Sequence, residues 1–322
     1  MRAVYAAGAD PAVPLSQLRV GDRPDPVPPP GWTTVEVRAA TLNHHDLWTL
    51  RGVGIAKERF PMILGCDAAG IDLSTGREVV VHGVVSSPDW SGDETFDPGR
   101  SVLSELHQGT IAEYVMVPER NVVDKPPDIS FCDGAAIGVT WLTAYRMLFR
   151  NSGLQPGNTV LVQGASGGVA SACIALARAG GMRVWATART EEKRAFALRV
   201  GAHEAFPTGA RLPQRVDAVM ETVGEPTWSH SLKSTRPGGR IVISGATAGD
   251  MPPAELKRVF FLQLQVIGST MGTRQELADV LSFASATGLR PHIDRIVELD
   301  DAPDTFAAME AGELLGKAVF IP

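Results

Sequence analysis

Cysteine is scarce: Cys66, Cys132 and Cys173 are the only three in 322 residues. An odd, scattered set of this kind excludes a disulfide framework and fits a reducing cytoplasm. Long apolar runs are missing too. None approaches the ~18 residues that a membrane-spanning helix needs, and the opening MRAVYAAGAD has no apolar stretch of the kind a secretory leader carries. Nor is there an excess of positive charge. Thirty Lys and Arg stand against 36 Asp and Glu, a formal charge of −6, which argues against nucleic acid or an anionic membrane as partner. No internal repeat and no low-complexity tract interrupts the chain. What is present suits a soluble enzyme: 44% hydrophobic and 20% charged residues, and a length matching about two domains.

The first third reads as β-rich. Thr33–Ala39, Arg77–Val81 and Ala112–Val117 alternate apolar and polar residues between Gly, Pro, Asp and Ser, the pattern of half-buried strands. Pro24–Gly31 is a stiff surface connection, and Ser86–Arg100 a long exposed loop. Near Pro126 the pattern changes. Ser130 with Asp133 marks a helix start, and helical periodicity runs to about Phe149. Strand and helix then alternate: strands at Thr159–Gln163, Met182–Thr187, Val216–Met220, Arg240–Ser244 and Leu264–Ile267, helices at Val169–Ala179 and Glu191–Val200. Such alternation predicts a doubly wound parallel sheet. The last stretch adds a helix from about Gln275 to Ala286, a strand at Arg295–Leu299, a further helix and a closing strand. The fold class is therefore α/β, with a nucleotide-type domain at 126–270 inserted in a β-rich one made of 1–125 and 271–322.

The strongest local signal is VLVQGASGGVA, Val160–Ala170. A strand runs through Gly164, Ala165, Ser166, Gly167, Gly168 and Val169 straight into a helix. Glycines let the backbone approach a pyrophosphate, and the unpaired N–H groups of the helix start point at the anion. The specificity signal comes at the end of the second strand, after Thr187. An NAD-preferring fold places Asp or Glu there, to accept the ribose hydroxyl protons. This chain has Ala188, then Arg189, Thr190 and Lys193. Nothing repels a 2′-phosphate and two cations can hold one, so the expected cofactor is NADP(H). The plainer reading of Arg189 and Lys193 is a pair of solvated residues at a helix entry.

With NHHDLWTLRG at Asn43–Gly52, the chain resembles the medium-chain dehydrogenase/reductase superfamily and, within it, the zinc-independent quinone oxidoreductase-like branch. The resemblance covers almost the whole chain. It includes FPMILGCDAAG (Phe60–Gly70), GTIAEYVMVP (Gly109–Pro118), GVTWLTAY (Gly138–Tyr145), DAVMETVG (Asp217–Gly224), RPGGRIVISG (Arg236–Gly245), VIGSTMGTRQEL (Val266–Leu277) and GKAVF (Gly316–Phe320). It implies a GroES-like β-rich catalytic domain built from both chain ends, a Rossmann domain between them, and an active site in the cleft. By the same resemblance His44 faces the cofactor phosphates, while Thr140, Gly245, Ala246, Thr247, Ser269, Met271 and Lys317 lie in segments that contact the cofactor.

Zinc-dependent relatives carry Cys, His and Cys at the positions matching Asn43, Cys66 and Ala136. Catalytic zinc needs three protein ligands, and Cys66 with Asp67 offers at most two. The lobe matching Ser86–Arg100, which holds a structural zinc in such relatives, contains no cysteine. His44, His45 and Asp46 are consecutive, so they point about 100° apart on a helical turn and share no face. No metal is expected. Without a Lewis acid, a reductase must stabilise the developing oxyanion with fixed hydrogen-bond donors and take a proton from a side chain or water. The resemblance puts Asn43, His45, Asp67 and Thr140 in that role. Asn43 is a substrate-orienting donor or else a turn residue. His45 stands where zinc enzymes keep a proton-relay hydroxyl, and is a proton donor or else a satisfied structural histidine. The plainer reading of Asp67 is a hydrogen-bonded structural acid, and Trp48 and Trp141 line a pocket or, more simply, fill core.

The leading expectation is an NADPH-dependent reductase of quinones or α,β-unsaturated carbonyls. An enoyl-thioester reductase and a non-catalytic NADPH-binding sensor or scaffold remain open, and a secondary alcohol dehydrogenase is disfavoured for want of a metal or strong base. The apolar run Phe260–Ile267 reads as a late strand. By resemblance it pairs across a two-fold axis, which makes a homodimer the expected assembly.

Overall fold

The longest strand organises the β-rich part of the chain. In Trp32–Thr41 alternate residues are buried through Thr33, Val35 and Val37, and the strand becomes buried on both sides toward its end. The computed structural model describes all 322 residues, Met1–Pro322. Along the chain, β1 (Arg2–Ala6), β2 (Leu18–Asp22) and β3 (Trp32–Thr41) precede helix α1 (His44–Arg51). Next come β4 (Met62–Ile63), β5 (Ala68–Asp72), β6 (Glu78–Val81), β7 (Val84–Val85), β8 (Ser101–Val102), β9 (Tyr114–Pro118) and β10 (Val122–Asp124). Helices α2 (Phe131–Ala136) and α3 (Leu142–Tyr145) lead into β11 (Thr159–Val162), α4 (Gly168–Ala179), β12 (Arg183–Ala188), α5 (Glu191–Arg199), β13 (Glu204–Pro207) and β14 (Val216–Glu221). The chain finishes with α6 (Glu225–Ser234), β15 (Thr235–Ile243), α7 (Leu256–Phe261), β16 (Gln265–Gly268), α8 (Arg274–Thr287), β17 (Ile293–Glu298), α9 (Ala302–Glu310) and β18 (Lys317–Ile321).

The chain divides into two units, Met1–Val139 with Gly272–Pro322, and Thr140–Met271. In the first unit β3 pairs with β5, β9 and β18, in a seven-stranded sheet running β10-β6-β5-β3-β18-β17 with β9 alongside. A smaller sheet is ordered β2-β1-β4. The core between them includes Val35, Leu47, Leu50, Leu64, Phe306 and Phe320. The second unit is a six-stranded parallel sheet ordered β13-β12-β11-β14-β15-β16. Counted within the unit that order is 3-2-1-4-5-6, the Rossmann arrangement. β11 is buried along its whole length, as a central parallel strand covered by helices on both faces must be.

Two differences from the sequence reading have physical reasons. The first boundary falls between Val139 and Thr140 rather than near residue 126, because α2 packs on the first unit. A Cβ on Gly134 would lie 3.0 Å from Val80 and 3.2 Å from Ala69, and one on Gly138 would lie 2.8 Å from the Asp67 Cβ. Periodicity shows that a helix exists, not which sheet it covers. The second difference is Phe260–Ile267, which is not one strand. Phe260 and Phe261 end α7, and only Gln265–Gly268 is extended. Leu264 alone of this run is buried. A short apolar run does not by itself distinguish strand from helix.

Candidate active site

The first unit gathers Asn43, Asp67 and Lys317 into one buried cluster. Asp46, at the start of α1, accepts the Asn43 backbone N–H at 2.8 Å and the Gly65 N–H at 2.7 Å. The helix entry is thereby tied to the segment that carries Cys66 and Asp67. Asp67 lies just before β5 and is fully buried. Its Oδ1 accepts Thr41 Oγ1 at 2.7 Å and Asn43 Nδ2 at 3.1 Å, while Oδ2 has no hydrogen-bond partner. Lys317 Nζ donates to Leu42 O at 2.8 Å and Asn43 Oδ1 at 2.7 Å, and stands 3.7 Å from Asp67 Oδ2. Burial pushes the Asp67 carboxyl above its ordinary range, and the Lys317 charge works against that shift. Asp46 is likewise raised by burial, to about 6, and the Cys66 thiol is driven well up.

Lys317, expected in a segment that contacts the cofactor, holds Asn43 and faces Asp67 within the first unit. Asn43 is 6% exposed and its amide is engaged at both ends, so it acts within the cluster.

His45, in the first turn of α1, has a different setting. Its Nε2 lies 3.2 Å from Glu105 Oε1, and its Nδ1 is buried without a partner. Burial would hold the imidazolium down. The hydrogen bond to Glu105 and the charges of Asp46, Glu105 and Asp67 more than offset this, and His45 titrates above the ordinary 6.5. Glu105 moves the other way despite its burial, pulled down by His45, the Val102 N–H and Arg100. His44 stays exposed at the helix start. Five buried side-chain polar atoms in the whole chain lack a partner: Arg23 Nε, His45 Nδ1, Asp67 Oδ2, Ser104 Oγ and Ser244 Oγ. Three of them belong to this cluster or to the residue beside Glu105. Native interiors satisfy nearly every such atom, so each of these stands out.

In the second unit, the turn after β11 and the turn after β14 meet where the strand order reverses, the place where open α/β sheets bind nucleotides. Gly164 has φ +70°, and a Cβ there would come within 2.6 Å of Val223. A Cβ on Gly167 would meet nothing closer than 4.0 Å, so the backbone at the head of the twelve-residue α4 lies open to an anion. Ala165 is buried, with its N–H donated to Thr187 O at 3.0 Å. The Thr187 hydroxyl donates to Gln163, so Thr187 braces the turn from beneath. Ser166 and Gly168 are half-buried, as is Val169. Arg189 is exposed beyond β12, and the Lys193 ammonium is lowered by burial and then by the Arg189 charge. The segment Gly245–Thr247 packs on the second turn, with Thr247 N–H donating to Thr222 O at 3.2 Å. Ser269 Oγ accepts Asn151 Nδ2 at 3.0 Å, and Met271 holds a left-handed φ of +47°. Thr140 belongs to this unit and is buried in a rare π-helical stretch, Ile137–Trp141.

Sequence reasoning missed Glu105, which lies 60 residues from His45 in a loop with no pattern around it. It also missed Glu221, buried at the end of β14. That carboxylate accepts Val223 N–H at 2.9 Å, Gly224 N–H at 3.2 Å, Thr227 Oγ1 at 2.8 Å and Ser231 Oγ at 2.6 Å. A carboxylate preceding a Thr-Val-Gly turn was the available signal.

A family model for the alcohol dehydrogenase GroES-like domain matches residues 29–127, and one for zinc-binding dehydrogenases matches residues 168–286. Acryloyl-coenzyme A reductase of Metallosphaera sedula is 30% identical over 319 residues, covering 92% of this chain and 93% of that protein. The chain belongs to the medium-chain dehydrogenase/reductase superfamily. A second relative in this superfamily, quinone oxidoreductase of Sus scrofa, is 31% identical over 293 residues and covers 86% and 84% of the two chains. Among solved structures, an NAD-dependent alcohol dehydrogenase superposes with a TM-score of 0.89 at 32% identity over 100% of both chains. These medium-chain relatives are oxidoreductases, and the GroES-like and Rossmann parts are those described above. No helix is long and apolar enough to cross a membrane.

Proposed function

We propose that this protein is an NADPH-dependent reductase of quinones or α,β-unsaturated carbonyls that works without a bound metal. The observation that carries the reading is the Asn43–Asp67–Lys317 cluster. Where zinc-dependent relatives need three ligands, this chain presents an amide, a buried thiol with a strongly raised pKa and an alanine. An ammonium already stands 3.7 Å from the Asp67 carboxylate. A second positive ion would meet that charge and an unsuitable donor set, so the residues do not fit zinc.

The residues of the second unit do fit a dinucleotide. Backbone N–H groups around Ser166–Gly168 would hold the pyrophosphate, and Arg189 with Lys193 the 2′-phosphate. When bound, the cofactor supplies the hydride. Reduction of a conjugated carbonyl leaves negative charge on oxygen and requires one proton. His45 Nδ1, like Asp67 Oδ2 and Arg23 Nε of the same unit, has no protein partner, and of these three groups the imidazole is the one whose ordinary pKa lies near neutrality. An enoyl thioester presents the same conjugated carbonyl, and the name of the Metallosphaera relative favours it as the second reading. A cytoplasmic setting accords with the three free thiols.

The test follows NADPH absorbance against quinones, enones and enoyl-CoA thioesters, with NADH and EDTA as controls. Turnover is expected to prefer NADPH and to survive EDTA. Arg189→Ala/Lys193→Ala should raise KM for NADPH about 10- to 100-fold, in line with loss of charge-assisted hydrogen bonds, and leave KM for NADH unchanged. Cofactor binding with a flat trace across the panel would favour a sensor or scaffold.

We also propose a homodimer through β16 and α7. β16 is the edge of its sheet, and Leu256, Phe260, Phe261 and Val266 beside it are exposed. Apolar residues along an open sheet edge invite pairing with a second copy. Light scattering should give twice the 34.2 kDa chain mass, and a monomer mass would overturn this assembly.

A further inference from the structure

We propose that Glu105 is the positioning residue for His45. Its carboxylate fixes the ring by accepting the Nε2–H hydrogen bond, and leaves Nδ1 as the atom that exchanges a proton with substrate. This rests on the reading of His45 as the proton donor. The geometry comes from three places in the first unit.

His45 is held at the start of α1 by the Asp46 bonds to Asn43 and Gly65. The Glu105 carboxylate is anchored at both oxygens: Oε1 faces His45 Nε2 at 3.2 Å, and Oε2 accepts the Val102 N–H at 2.8 Å. The turn that presents it is tight and strained. Ser104, fully buried, adopts φ +74°, a conformation that non-glycine residues rarely take and that clusters at functional sites. Its N–H donates to His107 O at 2.9 Å, and the N–H of Leu103 donates to Gly83 O at 3.0 Å, so the strained turn is clamped to the body of the unit.

The dyad is a base held by a third group, the arrangement that orients acid–base histidines generally. It is flanked by charged groups of both signs: Asp46 on the same helix, Asp67 before β5, and Arg100 ahead of β8 facing Glu105. The carboxylate that bonds Nε2 is Glu105, so it is Glu105 that decides which ring nitrogen remains for chemistry. The orphaned Nδ1, and Ser104 Oγ on the residue preceding Glu105, are the polar atoms this arrangement leaves for a ligand.

Two readouts test the proposal on the full-length protein. In 15N-labelled protein, long-range ring correlations of His45 should show the neutral ring held with its proton on Nε2. In Glu105→Ala that preference should be lost. Glu105→Gln keeps an acceptor for Val102, guards against misfolding, and should shift the ring nitrogens without changing the melting temperature. With the best acceptor, Glu105→Ala should lower kcat about tenfold or more while KM for NADPH stays the same. In a His45→Gln background it should cost nothing further, since residues acting as a unit are not additive. An unchanged His45 tautomer in folded Glu105→Ala would overturn the proposal, and so would an equal loss of kcat with and without His45. If no acceptor is turned over, the proposed activity fails, yet the ring correlations still decide whether Glu105 fixes His45.

Discussion

Replacing Lys317 with methionine should lower the unfolding free energy at pH 7 by about 3–5 kcal/mol, the range seen when one partner of a buried ion pair is removed. The ammonium is 3% exposed and Asp67 is fully buried. Without Lys317, the Asp67 carboxylate keeps the hydroxyl of Thr41 and the amide of Asn43, and no cation faces Oδ2. Asn43 Oδ1 loses its donor in the same step.

Urea unfolding measures the loss, and two controls assign it to charge. Adding Asp67→Asn to the methionine variant should recover part of the deficit, because a neutral amide needs no counter-ion. A double-mutant cycle isolates that coupling. The pH dependence has a definite sign. The folded-state pKa of Asp67 is already raised above its unfolded value, and loss of Lys317 raises it further. The carboxyl's contribution to stability is therefore full at low pH and is lost as pH rises through the folded value. The gap between wild type and Lys317→Met should widen from acid toward neutral pH. A variant within about 0.5 kcal/mol of wild type, the size of an ordinary surface substitution, would show that the ammonium is not a structural counter-ion.

Replacing His45 with glutamine should cut kcat about 10²- to 10⁴-fold, the usual contribution of a positioned acid or base, and leave NADPH affinity unchanged. Glutamine keeps polarity and a hydrogen-bonding reach toward Glu105 but carries no transferable proton. The pH profile supplies the signature. A donor must be protonated to act, and His45 titrates above 6.5 because Glu105, Asp46 and Asp67 outweigh its burial. Wild-type kcat/KM should be level on the acid side of that value and fall as pH rises through it. The glutamine variant should lack that limb. Unchanged kcat in His45→Gln would mean the proton arrives by another route.

Much of this molecule was legible as local pattern. The turn at Gly164–Gly168, the alternation of strands and helices around it, the helix start at Ser130, and the missing carboxylate at Ala188 are all short-range facts. Local propensity and periodicity act within a few residues of the chain, which is why such features can be read directly. The mismatch of Asn43, Cys66 and Ala136 to the ligands of zinc-dependent relatives is of another kind, because the family resemblance supplies the positions and residue type only the chemistry.

Only the tertiary structure decided the rest. Strand order 3-2-1-4-5-6 depends on packing between segments up to a hundred residues apart. The assignment of α2 to the first unit turns on whether Gly134 and Gly138 meet Val80 and Asp67, which periodicity does not record. Phe260 and Phe261 are helical, and apolar content alone leaves strand and helix undecided. Most of all, Lys317 reached Asn43 across 274 residues, and Glu105 reached His45 across 60. Residue type made each of these a plausible surface charge. Burial beside an opposite charge, a condition set by the packing of distant strands and turns, is what turned one into an internal counter-ion and the other into the partner of a histidine.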